Sequence, residues 1–342
     1  MAKTIILCDY RWVLYRSSFK FNEFKIEENE AEIYTGAVYG ILEFAKTVLS
    51  NYDKVDLFFC LDGHPSEREK LLPSYKEKRH EADPLPEIAS ARALHDEPIK
   101  ILSTVPNVHF IQDSEKEADD LMAMIAFREL GKGNKPIIFT GDKDLLQLMQ
   151  FGINISKNIE EGKLQILPEN YITLHKDFQC APEELLYLRA LNGDKSDEIP
   201  QAFFKGGSAG LRLEFAKLWY QSGDRYLENF DQLIEKMDPI IENLYKGKKA
   251  QDNNKAKIRT IKEDAIRNMK LMELDKYEPI YEAYKTYKET KNKDLIDKVK
   301  EEFQMSNIKS LNYDLDSEDI SKILTRLDLQ RFKAWMNYNN YI

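Results

Sequence analysis

The scarce features of this sequence limit what it can be. It has three cysteines in 342 residues, Cys8, Cys60 and Cys180. So few cannot build a disulfide framework, and two of them stand inside apolar runs. They are expected as reduced core residues of a cytoplasmic protein, in a bacterial or virus-infected cell. The five histidines, His64, His80, His95, His109 and His175, show no metal-ligand spacing and read as surface or core residues. Long apolar runs are missing as well. Leu57-Phe58-Phe59-Cys60-Leu61 falls far short of the roughly 20 residues that span a bilayer. Met1-Ala2-Lys3 leads straight into a strand-like run, so neither a secretory segment nor a membrane partner is expected. There is no excess of positive charge: 50 Lys and Arg face 59 Asp and Glu, a net charge of −9. Taken alone, that balance argues against a nucleic-acid partner, but the placement of charge matters more than its sum.

Apolar runs that end in carboxylates are what the sequence does have. Thr4-Ile5-Ile6-Leu7-Cys8 leads to Asp9, Val55 to Leu61 leads to Asp62, and Ile137-Ile138-Phe139-Thr140-Gly141 leads to Asp142 and Asp144. Each reads as a buried strand. Between the first two, Ile33, Ala37, Ile41, Phe44, Ala45 and Val48 predict a helix over Glu32 to Leu49, so a βαβ unit with a parallel sheet is expected. Tyr10 to Phe21 reads as a basic, aromatic loop or helix start holding Arg11 and Arg16. Val108 to Ile111 reads as a strand and Glu117 to about Leu130 as a helix. Leu145 to Gln150 reads as a short helix, and Ile153–Ser156 with Leu164–Leu167 as a hairpin. From His64 to about residue 105 a polar, basic segment interrupts the alternation. Beyond Ala181 the strand signals stop, with helix over Pro182 to Leu191, a turn at 192–197 and a glycine-rich turn at 205–210. The reading divides the chain into an α/β core over 1–180 and a helical region over 181–342.

Nine acids stand at element ends: Asp9, Asp62, Glu117, Asp119, Asp120, Asp142, Asp144, Asp194 and Asp197. Each alone reads as a cap, a turn former or a solvated acid. Together they suggest more, because a parallel sheet gathers sequence-distant residues outside its strand carboxyl ends. Glu117 and Asp120 share a helix face at i, i+3. Carboxylates that crowd without compensation raise each other's pKa values. Hard divalent cations relieve this, which points to Mg²⁺ or Mn²⁺, and a two-metal site suits phosphodiester hydrolysis. Setting nine acids aside for metals leaves 50 basic and 50 acidic groups, a balance that lets a polyanion dock on basic patches.

The ordered segments Phe59-Cys60-Leu61-Asp62-Gly63, Arg68 to Arg79, Glu117-Ala118-Asp119-Asp120, Thr140 to Asp144 and Gly193 to Pro200 resemble the 5′-3′ exonuclease/flap endonuclease family. The resemblance covers roughly residues 4–215. It implies a PIN-like nuclease core, a helical arch over about 64–105, and a helical C-terminal region with a degenerate helix-hairpin-helix near 193–212. It implies that the nine acids are metal ligands or their support, with Asp9 and Asp142 central to catalysis. Lys76 and Arg79 would stabilise the scissile phosphate, and Tyr75 would stack on an unpaired base. Arg16, Arg68, Lys70, Gly206, Gly207 and Arg212 complete the substrate-facing set. The implied substrate is DNA with 5′ ends, flaps or branches, or the RNA of an RNA–DNA hybrid. The implied setting is replication or repair by a monomer, with a DNA polymerase or single-strand-binding protein in trans.

The chain departs from the family pattern in places. Tyr10-Arg11 follows the first aspartate where glycine is usual, and Glu198 and Gln201 replace the usual Asn and Gly around Ile199-Pro200. The turn at 206–210 lacks regular helix-hairpin-helix spacing. It could bind phosphate through backbone amides, hold K⁺, or simply join two helices. The stretch Lys246 to Lys270, with nine Lys or Arg against three Asp or Glu, reads equally as a DNA-tracking surface or an exposed lysine-rich helix. Two other functions compete. A HAD-type phosphatase needs an acid at position 11, where this chain has Arg11. A junction-binding protein that does not cut would have lost acids that are all present here.

Overall fold

The computed structural model describes residues 2–77, 85–203, 208–274, 286, 290 and 308–342. Its centre is β1 (Thr4–Asp9), every residue of which is apolar between its polar ends. Successive side chains of a strand point to opposite faces, so Ile5 and Leu7 enter one core while Ile6 and Cys8 enter another. The strand therefore lies between two helical layers. It is flanked in parallel by β4 (Val55–Leu61) and β6 (Lys135–Phe139). Outside these, β5 (Val108–Asp113) and β7 (Asn154–Glu160) extend the parallel sheet. Antiparallel β8 (Lys163–Ile166) and β9 (Ile308–Ser310) close its two edges, giving the order β8-β7-β6-β1-β4-β5-β9.

The chain leaves β1 in one direction along the sheet and later returns on its other side. The carboxyl end of β1 is therefore a switch point where a crevice opens. In the ladder Asp9 pairs with Cys60 and Cys8 with Phe139, so Asp62 lies two residues and Asp142 three residues beyond neighbouring strand positions. One topological fact thus brings three acids to the same rim.

On one face lie α1 (Tyr10–Lys20), α2 (Gly36–Asn51), α4 (Pro86–Ala93) and α5 (Glu97–Leu102). The other face carries α6 (Ala118–Gly131), a 3₁₀ segment at Asp144–Phe151, α8 (Leu185–Asn192), α9 (Ala209–Ser222), α10 (Phe230–Leu244), α11 (Lys248–Ile258) and α12 (Lys262–Met272). The short helices α3 (Ser66–Leu71) and α7 (Tyr171–Leu174) complete the middle of the chain. Among the described residues no helix is long and apolar enough to cross a membrane.

Several expectations are corrected. Of the two readings of Tyr10 to Phe21, the helix is the one found, over Tyr10–Lys20, because the Asp9 carboxylate caps it by accepting from the Trp12 amide at 3.0 Å. The helix expected from Glu32 begins at Gly36 instead. Asn29 and Glu30 adopt positive φ (53° and 66°) in a tight turn that folds β2 (Lys25–Glu28) onto β3 (Ala31–Tyr34). Ile33 misled the periodicity because it packs on the same core from a strand. The helix expected over Leu145 to Gln150 is wound as 3₁₀ and stopped by Gly152 at φ 78°. Strands do not end at Ala181, since β9 pairs with β5. Across the expected division at residue 180, α13 (Ser317–Arg326) lies against α5, and Phe332 of α14 (Gln330–Tyr338) meets the Tyr39 ring of α2 at 5.2 Å.

Gly63 sets the turn after Asp62. A Cβ there would stand 2.0 Å from the Asp113 carbonyl oxygen, while the Gly63 amide donates to the Lys116 carbonyl at 2.7 Å. Gly63→Ala is expected to cost about 1–3 kcal/mol through forced backbone movement. Urea midpoints would measure the loss, and an unchanged midpoint would show that the close approach can relax.

Candidate active site

Four carboxylates form the acidic centre: Asp9 from β1, Asp62 after β4, Asp142 after β6, and Asp119 in the first turn of α6. Burial and then the Asp62 charge push the Asp9 carboxyl up to about 7, with Asp142 adding to the effect against an opposing hydrogen bond from the Trp12 amide. Burial, Asp142 and Asp9 lift Asp119 well above the usual carboxylate range. The Cys60 thiol behind them is raised by burial and by Asp9 and Asp119. The backbone fixes these acids. Asp62 Oδ1 accepts from the Ala118 amide at 3.0 Å, which ties β4 to the start of α6. Asp142 Oδ1 accepts from the Asp144 amide at 2.8 Å, and the Asp142 amide donates to Thr140 Oγ1 at 2.9 Å.

Among the described residues, Asp9, Asp119 and Asp142 have no ion-pair partner, and Asp62 has only Arg11, whose Nη1 is 3.9 Å from its Oδ2. The four therefore repel one another, with Arg11 at the edge of contact with Asp62 as the one ion pair among them in the described residues. They are not drawn into a ready shell: among the described residues no three His, Cys, Asp or Glu side chains are gathered closely enough to hold an ion. Hard oxygen donors with surplus negative charge nonetheless match the chemistry of a divalent cation.

The other five acids are paired with cations of the protein itself. Arg68 grips Asp120 with two prongs, at 2.8 and 2.9 Å, and also pairs with Glu117. Glu117 further accepts from Tyr75 Oη at 2.8 Å and from Lys76. Burial alone would raise Glu117, but Lys76 and Arg68 outweigh it and hold the carboxyl below its ordinary value. Asp197 stands 3.6 Å from Lys76 Nζ. Arg189 reaches Asp144 at 2.8 Å through Nε and Asp194 at 2.7 Å through Nη2. Burial still lifts Asp144 to about 7 against the pull of Arg189. Asp194 is held low because Ser196 and Arg189 outweigh its burial.

Several residues of the expected substrate set are engaged by other side chains in this structure. Arg68 is a largely buried counter-ion of Glu117 and Asp120, its side chain 12% exposed. Tyr75, expected to stack on a base, is buried and donates its hydroxyl to Glu117. Lys76 faces Glu117 and Asp197 rather than the crevice. Lys70 is exposed and paired with Glu67, and Arg212 lies in the first turn of α9. Arg79, Gly206 and Gly207 fall outside the described residues, as does most of the turn proposed for K⁺.

Above the acids opens a cavity of about 840 Å³. Its wall carries six cations, Arg11, Arg16, Arg92, Lys143, Arg189 and Lys195, against four acids, Asp9, Asp62, Asp142 and Asp194. Arg16 lies over the Trp12 ring, 5.1 Å from its centroid, and donates to the Lys157 carbonyl at 2.8 Å. Burial raises the Tyr15 hydroxyl, but hydrogen bonds from Arg92 and Arg11 bring it below the usual phenol value. The sequence reading missed Arg189 and Arg92. A lone arginine in the apolar run Leu185 to Leu191 was the available signal for the first; nothing in the sequence marks the second.

Residues 4–174 match the family described as 5′-3′ exonuclease, N-terminal resolvase-like domain. The 5′-3′ exonuclease of Buchnera aphidicola subsp. Schizaphis graminum is 30% identical over 200 residues, which cover 58% of this chain and 65% of that protein. That of Mycoplasmopsis pulmonis is 28% identical over 281 residues, covering 82% of this chain and 83% of that one. DNA polymerase I of Bacillus caldotenax is 26% identical over 214 residues, covering 62% of this chain and only 23% of the polymerase. The match thus spans just under two thirds of the Buchnera protein and a quarter or less of the polymerase. Among solved structures, T5 5′-exonuclease with bound zinc superposes with a TM-score of 0.57 at 18% identity, covering 88% of this chain and 98% of that one. A T5 D15 flap endonuclease complex with DNA and metal ions gives 0.52 at 19% identity, covering 88% and 97%. At such identities the likeness concerns the fold: a resolvase-like, PIN-like α/β core with a helical C-terminal region.

Proposed function

This chain belongs to the 5′-3′ exonuclease family, and from that premise we propose that it is a divalent-metal-dependent 5′-nuclease hydrolysing phosphodiesters near 5′ ends, flaps or branches of DNA. The observation that carries the reading is the crowded acidic floor, with Asp9, Asp62 and Asp142 lining the cavity and Asp119 interacting with Asp9 and Asp142, beneath a cationic wall. A polyanion is repelled by bare carboxylates and attracted by the arginines and lysines around them; cations on the floor make both contacts favourable at once. Asp9, Asp62, Asp119 and Asp142 would hold the metal, with Mg²⁺ as the natural ion and Mn²⁺ as its substitute. When bound, such an ion polarises a phosphoryl oxygen and acidifies water.

The remaining chemistry belongs to the chain. Arg16, Lys143 and Lys195 would contact the sugar–phosphate backbone on the wall, with an affinity that falls as salt rises. Arg189 keeps Asp144 and Asp194 in place beside the floor. Arg68 and Lys76 keep Glu117 and Asp197 neutralised, so the negative surplus stays on the four floor acids. Action on the RNA of a hybrid, and work beside a polymerase or a single-strand-binding protein, belong to the same proposal. The HAD-type alternative has no support in the site, because Arg11 is a cation and the Asp9 carboxylate caps α1.

The test uses end-labelled 5′-flap, nicked and blunt DNA with Mg²⁺ or with chelator. Short 5′ products that require the metal are the expected result. Tight binding without cleavage would make the protein a junction binder, and hydrolysis of small phosphomonoesters alone would make it a phosphatase. Mg²⁺ is also expected to raise the melting temperature by mass action, by about 2.7 kcal/mol of stability at a hundredfold excess over its Kd. Calorimetry that shows no shift as Mg²⁺ is added in large excess would count against the floor acids as ligands.

A further inference from the structure

Arg11 on α1 and Arg92 on α4 meet at one oxygen. Arg11 Nε donates to Tyr15 Oη at 3.4 Å and Arg92 Nε donates to the same atom at 3.2 Å. Both arginines line the large cavity and also an adjoining one of about 220 Å³, whose walls add His95 and Gln112 and whose only acid is Asp62. Arg92 is exposed and among the described residues has no ion pair. Arg11 is 41% exposed, and its one carboxylate neighbour, Asp62, stands at the edge of contact, 3.9 Å away. Two guanidinium groups are thus oriented by a phenol that takes one N–H from each and leaves their other donors uncommitted.

Two such groups held side by side suit a compact dianion with several acceptor oxygens. The small cavity is below the roughly 300–1,000 Å³ of pockets that enclose drug-sized ligands, which argues for an end group rather than a whole nucleotide. The Tyr15 ring has Arg11 5.5 Å from its centroid, so that arginine already occupies a position over the ring where a base would stack. An internal phosphodiester carries one charge. A terminal phosphate carries about −1.5 to −2 at neutral pH and matches two arginines.

We propose that Arg11, Arg92 and Tyr15 form a receptor for the terminal phosphate monoester at the 5′ end of a DNA strand, beside the acidic floor. This rests on the nuclease reading above and adds a specificity to it: phosphorylated 5′ ends are preferred over 5′-hydroxyl ends.

Binding tests this without requiring cleavage. Fluorescence anisotropy in chelator would compare nicked duplexes that are identical except for a 5′-phosphate, a 5′-hydroxyl, or a 5′-hydroxyl with a 3′-phosphate. The expected result is about tenfold tighter binding of the 5′-phosphorylated end, with the 3′-phosphate giving no gain. In Arg92→Gln and in Arg11→Gln the ratio should fall close to one, and Tyr15→Phe should reduce it. Melting curves check that each variant is folded; Arg92 is exposed on α4, so its substitution disturbs no core. Equal binding of both ends by the wild type, an equal gain from a 3′-phosphate, or a ratio unmoved in both arginine variants would each overturn the proposal. Inorganic phosphate that binds the wild type as tightly as the end group contributes would reassign the site to a free anion and overturn it as well. A binding preference without cleavage would keep this site and remove the nuclease reading, whereas cleavage without preference would do the reverse.

Discussion

Asp9→Asn combined with Asp142→Asn is expected to lower turnover on 5′-ended DNA by at least about 10³-fold, roughly 4 kcal/mol of barrier, while making the metal-free protein more stable. The two effects have one cause. The floor acids are crowded and among the described residues only Asp62 has a cation, Arg11, within ion-pair reach, and burial with neighbouring charge lifts Asp9 to about 7. Neutral amides remove that repulsion. They also retain the local geometry, because asparagine caps a helix as well as aspartate does and can accept from the amides of Trp12 and Asp144. The gain is expected to exceed about 1 kcal/mol, less than the shift alone suggests because Asp9 is partly open to solvent. Turnover and urea midpoints with and without Mg²⁺ measure both sides. In the variant, Mg²⁺ should no longer shift the midpoint. A variant that is both inactive and less stable would mean that these carboxylates hold the fold together, and the functional reading of the floor would then fail.

Arg68→Met should have the largest effect on stability, a loss of about 3–5 kcal/mol. The guanidinium neutralises two carboxylates whose side chains are 8% and 5% exposed, and its Nη2 also reaches the Glu273 carbonyl at 3.3 Å. Removing it takes the two-pronged guanidinium from buried Asp120, leaves Glu117 to Lys76 and Tyr75 alone, and releases α3 from α6. In a chain of this size such a loss lowers the melting temperature by roughly 10 °C. Arg68→Lys should recover only part of it, because an ammonium cannot make the two-pronged contact with Asp120. Asp120→Asn added to Arg68→Met should recover part as well, since the two sites are coupled. If Arg68→Met instead kept wild-type stability and lost DNA affinity, Arg68 would be the substrate contact that the sequence suggests.

The sheet and its acids were legible from sequence because continuous apolar runs and strand-end carboxylates are local signals. Asp9, Asp62 and Asp142 could be placed on one rim because a parallel sheet leaves little choice about where strand ends meet. What was not legible is which acids are already satisfied. Glu117 and Asp120 read like Asp119, yet Arg68 lies 49 and 52 residues from them in the chain and only the fold brings it near. The same holds for Arg189 and Asp144, 45 residues apart. Charge counting assigned the compensation of nine acids to metals, whereas three cations of the protein already serve five of them. The hairpin at Asn29-Glu30 was missed because neither residue is glycine and the left-handed turn has no strong sequence mark.

The closing strand β9 has a consequence for biosynthesis. The edge of β5 is complete once residue 113 has emerged, but the segment that covers it begins at Ile308. At about 5–20 residues per second, a ribosome leaves that edge open for roughly 10–40 s. During that interval its unpaired amides and carbonyls are a template for a neighbouring nascent chain. Expression yield should therefore fall sharply when the last 35 residues are deleted, with the product in aggregates, even though the deletion removes no acid of the floor.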